Sequence, residues 1–268
     1  VSPRPIALLT DYGERDPFVG ICRAVIARVD PAIPLIDLTH GIPRQDVLAG
    51  ALALADAAAY LPQQCVVLGV VDPGVGSNRR AVAIESGKGL IYVGPDNGLL
   101  MPAVDACGGA TAAYEISNSP WRLEPTSKTF HGRDIFAPVA AQIAVGAAPA
   151  EAGEPLDTTD LVQMEIPRAE RNGDQLTATV LSIDVYGNVR LNARAADLGG
   201  TTPGEAVEIL LGGTPRQASF ATTYAEGGHD ALLLLEDSSG ALSLAINGGD
   251  AAAALGLARG DHVRLVGR

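Results

Sequence analysis

A chain of 268 residues, 47% of them hydrophobic, is long enough for one large domain or two modest ones with well-buried cores. Its formal charge of -12 excludes the general basic field that draws nucleic acid, and favours a cationic ligand instead. Aromatic residues make up only 4% of the chain, so the cores must be assembled from small aliphatic side chains at close backbone approach.

Cys22, Cys65 and Cys107 are odd in number and widely spaced in apolar surroundings. They read as reduced core thiols of a cytoplasmic protein, and no CxxC or Cys/His spacing suggests structural zinc. The opening VSPRPIALLTDYG lacks a charged leader followed by a long apolar run, and no stretch reaches the length of a membrane span. The expectation is a soluble, intracellular protein with neither a membrane nor a nucleic-acid partner.

Ile6 to Thr10 is a short apolar run that delivers Asp11 into the turn Tyr12-Gly13, as a strand end would. Asp16 and Pro17 then open a helical pattern with Val19, Cys22, Ile26 and Val29 on one face, and Asp16 is the expected N-cap. Leu35 to Leu38 reads as a second strand, Asp46 as the cap of an alanine-rich helix to Ala59, and Cys65 to Val70 as the strand that leads into Asp72. Ala81 to Ile84 and Leu90 to Val93 read as further strands, followed by the tight turn Pro95 to Gly98 and a short helix from Leu99 to near Asp105. Past an irregular stretch holding Trp121 comes TFHGRD, Thr129 to Asp134, with Asp134 placed to cap a helix from Ile135 to Val145 that Gly146 ends. Strand and helix alternate, which predicts an α/β domain over residues 1–150 with a mostly parallel sheet covered on both faces.

Residues 151–173 are rich in Ala, Pro, Glu, Asp and Thr without sustained periodicity, and read as a linker. The pattern then changes. Short strands at Thr177 to Ile183, Val207 to Leu211, Gln217 to Thr222, Leu232 to Glu236, Leu242 to Ile246 and His262 to Val266 alternate with Gly-rich turns. Residues 174–268 are therefore expected to form a smaller all-β, barrel-like domain.

Asp11, Asp16, Asp72, Arg79 and His131 all fall at strand exits or helix entries of the first domain, positions that a parallel sheet gathers along one edge. Each alone has a plain structural reading: Asp16 and Asp134 as caps, Arg79 as a solvated loop charge. His131, between Phe130 and Gly132, fits either a core histidine bonded to a carbonyl or a base working near neutral pH. His40 reads as the residue that orders a strand-end turn. VDPGVGSNRR, Val71 to Arg80, lacks the GxxxxGK[ST] arrangement, and no GxGxxG opens a helix, so a nucleotide-triphosphate site is disfavoured. Asp11, Asp72, His131 and Asp134 would suit a divalent metal, which the fixed cation Arg79 would oppose. In the second domain Asp184, Tyr186 and Asn188 combine a carboxylate, an aromatic face and an amide at a strand end, able to hold an ammonium, stack on a base and pair with adenine. A bare turn at Gly187-Asn188 explains the same residues equally well.

TDYG, VDPGVGSNRR, PDNGLL, TFHGRD, DVYGN and SSGALSLAIN occur in this order along nearly the whole chain. Together they resemble the S-adenosylmethionine hydroxide adenosyltransferases, the adenosine-forming hydrolases related to the fluorinase and chlorinase enzymes. The resemblance implies an α/β domain, a β-barrel-like domain and a homotrimer with sites at subunit interfaces, acting on a small-molecule substrate without metal or other cofactor. It implies a catalytic set at Asp72, Arg79 and His131, a ribose contact at Asp11, methionine contacts at Asp16 and Asp184, and an adenine contact at Asn188. Thr129 and Phe130 would line the site, Tyr186 would replace a stacking phenylalanine, and Ser238, Ser239 and Gly248 would complete the substrate-binding set. In the halide-using relatives both Asp72 and His131 are tyrosine, so two titratable groups point to water or hydroxide as the nucleophile. Ser239 stands where those relatives have an arginine on the methionine carboxylate, and Gln45 and Arg190 replace tryptophans. An S-adenosylmethionine-dependent halogenase and a non-catalytic adenosine- or S-adenosylmethionine-binding protein are the alternatives.

Overall fold

The computed structural model describes residues 2–267, and the chain divides into two compact units, Val1–Glu165 and Ile166–Arg268. In the first unit the order is β1 (Ile6–Thr10), α1 (Phe18–Val29), β2 (Leu35–Thr39), α2 (Val47–Ala58), β3 (Val66–Val70), β4 (Ala81–Ser86), β5 (Ile91–Pro95), α3 (Met101–Ala106), β6 (Ala110–Glu115), α4 (Ala137–Ala144) and β7 (Glu154–Leu156). The sheet order is β2-β1-β3-β5-β4-β6-β7. Its first four strands are mutually parallel, while β4 runs against both β5 and β6, and β7 against β6.

Every residue of β1 and β3 is buried, as a strand covered on both faces requires. Successive side chains alternate between two cores. Ile6, Leu8, Val66, Leu68 and Val70 pack with Cys22 and Ile26 of α1 and Val139, Ala140 and Ile143 of α4. Ala7, Leu9 and Val67 pack on the other face with Leu54 and Ala58 of α2 and Met101 and Val104 of α3. Thr10 pairs with Val70, so β1 and β3 end level and release Asp11 and Asp72 along one sheet edge. Cys22, Cys65 and Cys107 are free and buried.

Asp46 caps α2, its side chain accepting from Ala49 N at 2.9 Å. Asp16 does not cap α1: Pro17 occupies that position and the helix begins without a side-chain cap. Asp134 does not open a helix either. Gly132–Phe136 form a π-helical turn that runs directly into α4, and Asp134 lies inside it, 1% exposed, bonded to Arg133. The stretch before it holds one regular strand, β6, whose ATAAYE carries no alternation to read.

In the second unit β8 (Glu170–Asn172), β9 (Gln175–Ile183), β10 (Val189–Leu191), β11 (Ala206–Leu211), β12 (Thr214–Ala221), β13 (Leu232–Glu236) and β14 (Leu242–Ile246) precede α5 (Ala251–Leu255) and β15 (His262–Val266). The order β10-β14-β13-β12-β11-β15-β9 closes on itself through a β9–β10 pairing, giving a seven-stranded barrel, and β8 adds a short hairpin arm to β9. Only β12 and β13 pair in parallel. Leu176, Ala178 and Val180 of β9 alternate into its interior with Val207, Ile209, Leu234, Leu244, Val263 and Leu265. Residues 151–173 carry β7 on the first sheet and β8 on β9, and the division between units falls after Glu165.

Candidate active site

Beyond β3 the chain turns through Pro73 and Gly74, where Ser77 Oγ donates to Gly74 O at 2.6 Å and accepts from Arg79 N at 3.2 Å. Asn97, from the tight turn after β5, donates to Val71 O at 2.9 Å and braces the base of this loop. Arg79 is thereby folded back onto Asp72. Its Nε donates to Asp72 Oδ1 at 3.0 Å and its Nη2 to Oδ2, a bidentate fork between side chains only 8% and 7% exposed. Nη2 also lies 3.0 Å from His131 Nδ1, and the guanidinium sits 5.3 Å from the centre of the Phe136 ring.

A guanidinium has only donors, so His131 Nδ1 accepts this bond and the neutral ring carries its proton on Nε2. Burial, then the Arg79 charge, holds the His131 pKa below that of an ordinary histidine, against the opposing pull of Asp72 and Asp134. The π-helical turn brings His131 to this place. At Gly132, the next residue, a Cβ would collide with the Tyr12 hydroxyl, so only glycine allows that close approach. Tyr12 packs against Phe18 and Phe130 with ring centres 5.8 Å away in both cases. Burial, reinforced by Cys22, Asp11 and Asp72 and opposed by Arg79, raises its phenol pKa well above the usual value and keeps the hydroxyl protonated.

The turn after β1 is pinned from behind. His40 Nδ1 meets Thr10 Oγ1 at 2.9 Å, its Nε2 meets Asp37 Oδ1 at 3.0 Å, and its carbonyl accepts from Gly13 N at 2.8 Å. His40 thus orders the strand-end turn, as its place in the sequence suggested. Asp11 Oδ2 accepts from Gln45 N at 2.8 Å, with Gln45 in the left-handed region at φ 61°.

Asp11, Asp16, Asp72, Thr129 and His131 line one cavity of about 310 Å³, together with Tyr12, Arg44 and Gly132. Arg79 lies behind that wall, holding Asp72 and His131, and Phe130 supports it through Tyr12 and Phe18. Asp134 faces elsewhere: it accepts from Arg133 Nε at 2.6 Å and from Ser127 N at 2.8 Å. Of the residues that would suit a divalent ion, Asp72 and Asp134 are each forked to a guanidinium and Asp11 accepts from Gln45 N, and among the described residues no three His, Cys, Asp or Glu side chains are grouped to hold a metal ion.

In the second unit Asp184, Tyr186, Asn188 and Gly248 line a cavity of about 550 Å³ with Tyr224 and Asn247. Asp184 Oδ1 accepts from the N–H groups of Tyr186 and Asn188, both at 2.9 Å, and its Oδ2 accepts from the Asn188 amide at 2.8 Å. Gly187 has φ 79°, and a Cβ there would strike Asp250, the cap of α5. The turn is therefore real, and it presents Tyr186, 75% exposed, and the side-chain amide oxygen of Asn188. Ser238 and Ser239 do not line this second-unit cavity; they sit in the β13–β14 turn, where Asp237 Oδ1 accepts from Ser239 N at 2.9 Å and Ala241 N at 3.0 Å. Sequence reasoning gave no role to Tyr12, Arg44 or Tyr224; only Tyr12 carried a signal, its place inside TDYG.

Two family models, the SAM hydroxide adenosyltransferase N-terminal and C-terminal domains, match residues 6–153 and 178–264. A relative from Salinispora tropica named (R)-S-adenosyl-L-methionine hydrolase is 45% identical over 266 residues, covering 99% of each chain. A protein of the same name from Thermus thermophilus is 39% identical over 98% of this chain and 100% of its own. The crystal structure of an uncharacterized conserved protein from Thermotoga maritima superposes with a TM-score of 0.91 at 31% identity, over 97% of this chain and 99% of that one. The ordered motifs, the α/β unit followed by a closed barrel, and these matches together establish that the chain belongs to the SAM hydroxide adenosyltransferase family.

Proposed function

We propose that this chain hydrolyses S-adenosyl-L-methionine to adenosine and L-methionine, the reaction for which its relatives are named. The observation that carries the reading is the Asp72–Arg79–His131 cluster on the wall of a cavity of about 310 Å³, the range of small-ligand sites. An oxygen lone pair attacks ribose C5′, the C–O bond forms as the C–S bond breaks, and the bonding pair leaves on sulfur. The sulfonium becomes a neutral thioether, so the leaving group needs no acid.

The nucleophile is the difficulty. Because Arg79 occupies His131 Nδ1, the imidazole presents Nε2–H and can donate to the attacking oxygen but not take its proton. Asp72 is the acceptor of the set that faces the cavity, and its oxygens keep lone pairs after Arg79 has bound. The proton becomes strongly acidic only as the C–O bond forms, so a weak base such as a carboxylate suffices. Positioning the oxygen contributes about 7 kcal/mol or more in favourable cases.

Asp11 on the ribose, Asp16 and Asp184 on the methionine, Asn188 on adenine and Tyr186 on its face complete the assignment. The barrel cavity, with its aromatic rings and amide, supports the adenine role. A homotrimer with sites completed at subunit interfaces, a cytoplasmic location and independence from cofactors belong to the same proposal; the free, buried thiols support a reducing compartment. No helix among the described residues is long and apolar enough to cross a membrane. A chromatographic assay with S-adenosyl-L-methionine, with and without halide and EDTA, tests the reading. Adenosine and methionine should appear in all cases. A halide-dependent 5′-halo-5′-deoxyadenosine would mark a halogenase, loss in EDTA a metal enzyme, and calorimetric binding without product a binding protein.

A further inference from the structure

Two of the charged side chains that line the first-unit cavity are already engaged: Asp72 by Arg79, and Asp11 by the Gln45 N–H. Asp16 and Arg44 are different. Both are exposed and line the cavity, yet neither forms a hydrogen bond or ion pair with any other group among the described residues, nor do they pair with each other. One is an acid and the other a base. Separated opposite charges on one cavity wall are the complement of an α-amino acid, the carboxylate taking its ammonium and the guanidinium its carboxylate.

The backbone fixes where the guanidinium starts. Pro43 precedes Arg44, Gln45 follows in the left-handed region with its N–H on Asp11, and Asp46 caps α2. Arg44 thus hangs from a pinned segment next to the group assigned to the ribose. We infer that Arg44 binds the α-carboxylate at the methionine end of the substrate, opposite Asp16 on the ammonium. This rests on the S-adenosyl-L-methionine hydrolase reading and supplies a contact that the resemblance leaves open, since Ser239 stands where an arginine would do this work.

The amino-acid end keeps both its charges from substrate to product, while the sulfonium loses its own. A contact to the carboxylate is therefore equally strong before and during reaction and acts on KM rather than kcat. The test compares S-adenosyl-L-methionine with its decarboxylated analogue, which retains the sulfonium and the amine. Arg44→Ala should raise KM for S-adenosyl-L-methionine roughly ten-fold with kcat little changed, while kinetics on the analogue stay the same; Arg44→Lys should recover part of the loss. An unchanged KM, or an equal loss on both substrates, overturns the assignment of Arg44 alone. Wild-type enzyme that releases no adenosine overturns the hydrolase reading itself, and this inference with it.

Discussion

In the first-unit cavity the groups proposed to react are held by other side chains: Asp72 and His131 both by Arg79, and Arg79 in turn over Phe136. In the second-unit cavity Asp184 is held by its own loop, and an open aromatic face, the side-chain amide oxygen of Asn188 and the lone pairs left on Asp184 face a ligand. The first arrangement is cross-braced by side-chain bonds, as a site must be if its dipoles are to stabilise developing charge without reorganising. The second fixes the backbone and leaves the contact surface wet, which suits affinity and selection of a base. On the proposed assignment, chemistry and recognition are built by different local means within one chain.

The sharpest way to break this contrast is at Asp72 and His131. Asp72→Asn and His131→Ala should each lower kcat roughly a hundred- to ten-thousand-fold with KM within a few-fold, read by adenosine release. Wild-type turnover in both would refute the catalytic set. Arg79→Ala should cost stability as well, about 3 kcal/mol or more, because it leaves the Asp72 carboxylate buried without its partner; urea unfolding measures this.

Next in size is Gly132. A side chain there meets the Tyr12 hydroxyl beside His131, so Gly132→Ser should lower kcat about ten-fold, a loss of roughly 1.4 kcal/mol, and Tyr12→Phe in the same chain should relieve part of it. No effect of Gly132→Ser would mean that the wall next to His131 is soft. In the barrel the opposite signature is expected: Tyr186→Ala should weaken substrate binding by about 1–3 kcal/mol, seen in KM with kcat little changed. A fall in kcat alone would place Tyr186 with the reacting groups and erase the distinction.

The smallest effect is on pH. Because the His131 pKa is lowered in the native state, the unfolded chain takes up this proton first as pH falls, so the site loses stability below the ordinary histidine value of about 6.5. Above that value both states are neutral and the effect vanishes. The same lowering keeps Nδ1 free to accept from Arg79, so the acid limb of the kcat profile should lie below about 6.5. A limb at or above it would contradict the assigned proton position.

Much of the fold was legible because β1 and β3 are continuous apolar runs and the barrel strands alternate. The convergence of Asp72, Arg79 and His131 on one edge followed from strand ends and from the ordered motifs. Other features depended on neighbours that no local pattern reveals. Pro17 displaces Asp16 from the cap of α1, and Arg133 draws Asp134 into a π-helical turn. β10 is only three residues long. Arg44 had no signal at all, since an exposed arginine before a helix cap looks like any solvated charge.

The cysteines have a practical consequence. Burial pushes the Cys22 thiol up to about 12 and Cys65 to about 11, so neither offers appreciable thiolate to an alkylating reagent, and Cys107, 1% exposed, is out of its reach in the folded protein. Cys22 lies in the core shared with the π-helical turn, and Cys107 in the one beneath α2 and α3. Iodoacetamide labelling, followed residue by residue, would therefore serve as a clock for which side of the sheet opens first.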